Sequence, residues 1–228
     1  MKLLALAFAP ICVIILYIYF KDKYDKEPKR LLVFSFLLGA IVSIIVTTII
    51  YFGFDMVLPL KDEFSVPQQF VKAFLVVGLT EEFSKYIIVR FFNQPKKHFD
   101  EPFDGIMYAV MVSMGFAATE NVFYVLEGGY VTGVLRAFTA VPAHATFGIL
   151  MGYFMGLAKF SKNRITLNLL GLLLAVTFHG FYDFFLFIDF IPGIWIGAFI
   201  SLIIGIILSH KAIKKHQEDS HFNPDNDL

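Results

Sequence analysis

A Glu-Glu pair with a lysine one turn later, Glu81-Glu82-Phe83-Ser84-Lys85, interrupts an apolar run. On a helix Lys85 falls three and four residues after the two carboxylates and can reach either. Such a group can activate water as a general base, or it can lock two helices as an ion pair. Three further segments carry similar chemistry. Glu120 closes the small-residue stretch Gly115-Phe116-Ala117-Ala118-Thr119-Glu120-Asn121. It is either a catalytic or ligating carboxylate or a partner for Lys85. His144 follows Pro142, whose missing N–H predicts a kink that opens space beside the imidazole. His179 and Asp183 stand one turn apart, so that the carboxylate can orient the ring or fix its tautomer. Asp104 reads as an N-cap. Two chemistries fit this set. In metal-assisted hydrolysis, His144, His179 and Glu120 hold a divalent metal such as zinc while a further Glu activates water. In metal-free hydrolysis, Glu81 or Glu82 activates water, and the histidines and Asn121 stabilise the oxyanion. There is no HExxH motif, and the single cysteine, Cys12, excludes an internal disulfide and a Cys-based metal site.

These side chains lie in apolar spans. Of 228 residues, 57% are hydrophobic, 28 are Phe, and the net charge is zero. Mean hydropathy is +0.70, which sets the chain among multi-span membrane proteins. Seven spans are predicted, at about 3–20, 31–54, 70–92, 104–126, 133–158, 165–188 and 191–208. The connection 189–193 is short enough to be a re-entrant bend. Lys and Arg in the alternate connecting segments number thirteen on one side against two on the other. The N-terminus is therefore expected outside and the C-terminus in the cytoplasm. The fold class is thus an all-α polytopic membrane helix bundle, with one integral domain over 1–208 and a polar, disordered tail over 209–228. Residues 3–20 read as an uncleaved anchor.

A charge at bilayer depth costs roughly 2.5–3.5 kcal/mol on insertion scales. Glu81, Glu82, Lys85, Glu120, His144, His179 and Asp183 must therefore share one polar pocket. At 1.5 Å per residue from the outer span ends, Glu81 and His144 come ~17 Å below the outer boundary, His179 ~14 Å, Glu120 ~9 Å and Asp183 ~8 Å. One cavity in the middle-to-outer bilayer is expected. Gly148, Gly152 and Gly156 form a stripe on one helix face and are read as helix packing.

In order along the chain, Tyr24-Asp25-Lys26-Glu27-Pro28, Glu81-Glu82-x-x-Lys85, Phe103-Asp104-Gly105, Glu120-Asn121, Pro142-x-His144 and His179-Gly180-x-x-Asp183 resemble the PrsW family of intramembrane proteases. The resemblance runs roughly from residue 10 to 208. It implies a multi-pass protease of the bacterial plasma membrane that makes the first cut in a single-span anti-sigma factor on the extracytoplasmic side. It also makes Glu81, Glu82 and His179 the leading catalytic candidates, with Glu120 and His144 next. The implied partners are that substrate and the lipid bilayer, with no nucleic acid. The rival reading of the buried acids and imidazoles is a proton- or cation-coupled transporter, against which stands the lack of an internal repeat. A third is a non-enzymatic partner that binds membrane helices through the glycine stripe, which has no use for so many buried charges.

Overall fold

A computed structural model describes residues 2–224, and the regular elements among them are all helices. The rods are α1 (Lys2–Lys21), α2 (Lys29–Val57), α3 (66–93), α4 (Phe103–Phe138), α5 (Ala140–Phe160), α6 (Arg164–Phe187) and α7 (Ile196–Glu218). Five stretches are long and apolar enough to cross a membrane: α1, α2, the 58-residue run Phe103–Phe160, α6 and α7. α3 is not among them, because Lys72, Glu81, Glu82, Lys85 and Arg90 break its apolar run.

The run Phe103–Phe160 is folded rather than straight. Gly129 sits at φ 71°, ψ −156°, a conformation that needs a residue without Cβ. The chain reverses there, so the outer leg 130–138 lies back against the end of the inner leg. Arg136 of the outer leg thereby reaches Glu120 and Asn121 of the inner one. A second corner at Thr139 (φ −125°, ψ −81°) starts α5. Pro142 therefore occupies the first turn of α5, where no backbone N–H is needed. The kink expected at Pro142 is absent for that reason; the bend comes earlier, at Gly129 and Thr139.

α4 and α5 form the centre of the bundle and run antiparallel along the glycine stripe. A Cβ at Gly152 would collide with the Gly105 carbonyl, and one at Gly156 with that of Pro102. The remaining rods surround this pair and leave Ile45, Ile49, Phe52 and Met56 of α2 facing outward. Two π-helical stretches, Lys72–Leu79 and Val89–Asn93, bracket the α-helical turns Thr80–Ile88 of α3. Each widened turn changes the rotational phase of the residues after it, so the stretch Lys72–Leu79 sets which way Glu81 and Glu82 point. α7 continues past the expected end at Leu208 to Glu218, with Ser209, Ala212, Ile213 and His216 buried. The expected disorder does not hold over 209–218, and 225–228 lie outside the described residues.

Candidate active site

The five helices α2 to α6 enclose a cavity of about 700 Å³. Glu81, Glu120, His144, His179 and Asp183 all line it. Glu82 (0% exposed) and Lys85 (1%) lie behind that wall. The seven sequence candidates therefore meet, in two layers.

The hidden layer orients the exposed one. Lys85 Nζ donates to Glu82 Oε1 at 2.6 Å and contacts His144 Nδ1 at 3.2 Å. An ammonium has only donors, so His144 Nδ1 accepts and its Nε2–H donates to Glu120 Oε2 at 2.8 Å. Arg136 holds the same oxygen at 2.8 Å, bonds Asn121 Oδ1, and lies over the Tyr124 ring. On the other wing, His179 Nδ1 meets Glu82 Oε1 at 2.9 Å, and its Nε2 lies 3.3 Å from Asp183 Oδ2. Glu82 thus fixes the tautomer of His179, and Phe147 stacks on the ring at 4.7 Å. Ser84, next to Lys85, points away from it; its hydroxyl donates to the Glu81 carbonyl and accepts from Thr47.

Glu81 stands between the wings. Tyr51 donates to its Oε1 at 2.7 Å. Its Oε2 is buried without a hydrogen-bond partner and lies 3.9 Å from both His179 Nε2 and Lys85 Nζ. Glu81, His144 and His179 each present a ligand atom within 4.8 Å of the others. One carboxylate and two imidazoles are the donor set of a catalytic zinc site that keeps an open position. Charge points the same way. Among the described residues four carboxylates, Glu81, Glu82, Glu120 and Asp183, outnumber the three permanent cations at this cavity, Lys72, Lys85 and Arg136, and an unbalanced buried charge is costly. A divalent cation fits this set once Lys85 releases His144 Nδ1, the other ring nitrogen staying on Glu120.

The geometry departs from the sequence reading in three places. Glu120 is not the partner of Lys85; Arg136 and His144 hold it, and it lies outside the three-donor group. Asn121 is fully buried, bonded to Ala7 O and Arg136, and does not line the cavity, so it has no access to an oxyanion. Asp104 does not cap the helix by its own backbone; from the first turn its Oδ2 accepts the N–H groups of Asp100 and Glu101. Sequence reasoning missed Tyr51 and Arg136. Arg136 was legible as a cation within an apolar span; nothing in the sequence marks Tyr51.

Residues 27–209 match the profile of a family described as PrsW family intramembrane metalloprotease. The chain belongs to the PrsW family. Its relatives include Protease PrsW of Geobacillus kaustophilus, 36% identical over 87% of this chain and 85% of the relative. Protease PrsW of Bacillus subtilis is 37% identical over 78% and 79%, and that of Clostridioides difficile 34% over 92% and 88%. No solved structure matches. The chain is therefore a protease, built as a multi-pass protein of a bacterial membrane. Family membership favours this over the transporter reading.

Proposed function

We propose that this protease makes the first cut in a membrane-bound anti-sigma factor, on the extracytoplasmic side, so that the sigma factor is released in the envelope stress response. The observation that carries the hydrolytic part is the meeting of Glu81, His144 and His179 within 4.8 Å in a cavity that Glu120 also lines. In the proposed topology α3 joins the other rods to give seven crossings, with the N-terminus outside. The integral domain covers 1–208, and 209–228 faces the cytoplasm. The Lys and Arg asymmetry supports that orientation. The cavity is lined by Leu186 and Phe187 at the C-terminal end of α6, which this topology places at the outer face, where a membrane-proximal substrate segment would enter.

Glu81, His144 and His179 would hold a divalent metal, proposed to be zinc, which when bound supplies Lewis acidity to the scissile carbonyl and to water. The remaining work falls to the side chains. Glu120 is the proposed general base. Arg136 and His144 pin its Oε2, which leaves Oε1 to take a proton from water as the oxygen bonds to the carbonyl carbon. The same proton then passes to the leaving amide nitrogen as the C–N bond breaks. Glu82 holds the His179 imidazole in register, and Lys85 in turn holds Glu82. Asp183 lines the cavity beside His179 Nε2, 3.3 Å away.

The test is reconstitution of the purified protein in liposomes with a single-span anti-sigma factor, with products mapped by mass spectrometry. One cut near the outer membrane boundary is expected, absent in Glu120→Gln. Ion flux without any peptide hydrolysis would overturn the assignment.

A further inference from the structure

At the other end of α6, 22 residues from Leu186, the bundle carries a second polar cluster that the active site does not use. Its centre is Gln94, buried at the end of α3. The Gln94 amide donates to Met155 O at 2.8 Å and Asn168 Oδ1 at 3.1 Å, which fixes its own oxygen as an acceptor. Arg90 and Arg164 both donate to that one oxygen, at 3.0 and 3.2 Å. Lys159 donates to the Gln94 carbonyl at 2.6 Å. Three cations are gathered on neutral oxygens.

Two observations show that an acceptor is missing. Arg164 Nε and Asn168 Nδ2 are buried donors with no partner. Among the described residues no carboxylate lies within ion-pair distance of Arg90 or Arg164; Asp100 and Asp104 act on Lys159. The first turn of α6, which begins at Arg164, holds no acid, so the positive end of its dipole adds to the surplus. Donors in excess of acceptors, under net positive charge, call for a compact oxyanion. Phe91, Ile165 and Leu169 beside the cluster face outward and are more than half exposed. An oxyanion there would carry its own apolar attachment against that rim.

We propose that Arg90, Arg164, Lys159 and Asn168 form a site for a phosphate oxyanion, supplied by the headgroup of an anionic phospholipid whose acyl chains lie along Phe91 and Leu169. Basic pockets between membrane helices take such headgroups.

The test uses the full-length protein in detergent, with native mass spectrometry and thermal unfolding as readouts. It has three arms: phosphatidylglycerol, phosphatidylcholine and inorganic phosphate. Phosphatidylglycerol is expected to be retained over phosphatidylcholine and to raise Tm, with retention falling about fivefold per arginine in Arg90→Gln and Arg164→Gln. Lys162→Gln, an exposed cation of the same loop, should change nothing. Stabilisation by inorganic phosphate that the same arginine variants lose would support the oxyanion site and assign its source to free phosphate. Asn168→Asp guards against misfolding of the arginine variants. It keeps the acceptor for Gln94 and supplies the missing charge, so it should raise Tm without lipid and abolish the response to phosphatidylglycerol. Equal retention of both lipids, or a preference that survives the double arginine variant, overturns the proposal.

Discussion

Replacing Lys85 with Met tests whether the hidden layer is an ion pair that the fold depends on. Lys85 Nζ lies 2.6 Å from Glu82 Oε1, and both groups are sealed from solvent. At an effective dielectric of about 20, charges at that separation attract by about 6 kcal/mol. The loss cannot exceed the cost of neutralising the Glu82 carboxyl, which then keeps only His179 as a partner. From an ordinary glutamate pKa of about 4.3, protonation at pH 7 costs about 3.7 kcal/mol. Lys85→Met is therefore expected to destabilise by up to about 3.7 kcal/mol, in line with removal of one partner from a buried pair. For a chain of this size that is a fall in Tm of roughly 10 °C. The double variant Lys85→Met/Glu82→Gln carries no orphaned charge and should recover most of the loss. The assay is thermal unfolding in detergent at fixed protein and lipid concentration. A single-variant cost under about 1 kcal/mol, or a double variant no better than the single, would refute the pairing.

Arg136→Gln should leave the protein folded but lower kcat for peptide cleavage about 10–100-fold, because Glu120 then keeps only His144 as a partner; Arg136→Lys should rescue little, since it loses the forked contact to Glu120 and Asn121. In the loop between α1 and α2, burial pushes the Asp22 and Glu27 carboxyls up to about 7 from ordinary values of 3.8 and 4.5. The folded state then binds more protons than the unfolded one between about pH 4 and 7, so stability is highest at the acid end and falls as pH rises through 7. Tm measured from pH 5 to 8 should drop, and Asp22→Asn/Glu27→Gln should flatten the profile.

Particular residues show what the sequence could tell. The spacing of Glu81, Glu82 and Lys85 predicted their pairing, since helix geometry fixes side chains three and four apart whatever the surroundings. The depths of His144 and His179 predicted a shared cavity, since rise per residue is equally general. Which partner each group takes was not legible. Glu120 turns to Arg136 only because Gly129 reverses the chain, and a reversal of that kind depends on one backbone conformation inside an apolar stretch. Glu81 faces the cavity while Glu82 faces Lys85 because π-helical turns shift the phase of α3, and no residue type announces them. Tyr51 comes from α2, far from any motif, and only the packing of α2 beside α3 brings its hydroxyl to Glu81. The kink expected at Pro142 failed because a proline signal does not say whether it stands inside a helix or at its start.

The most direct measurement determines bound divalent metal and substrate cleavage on the same purified samples. The wild type should carry one ion per chain and cut. Glu81→Ala, His144→Ala and His179→Ala should lose both properties while remaining folded. Glu120→Gln should keep the ion and lose cleavage. Cleavage at the wild-type rate by Glu81→Ala or His179→Ala, or by wild-type protein stripped of metal, would contradict the account.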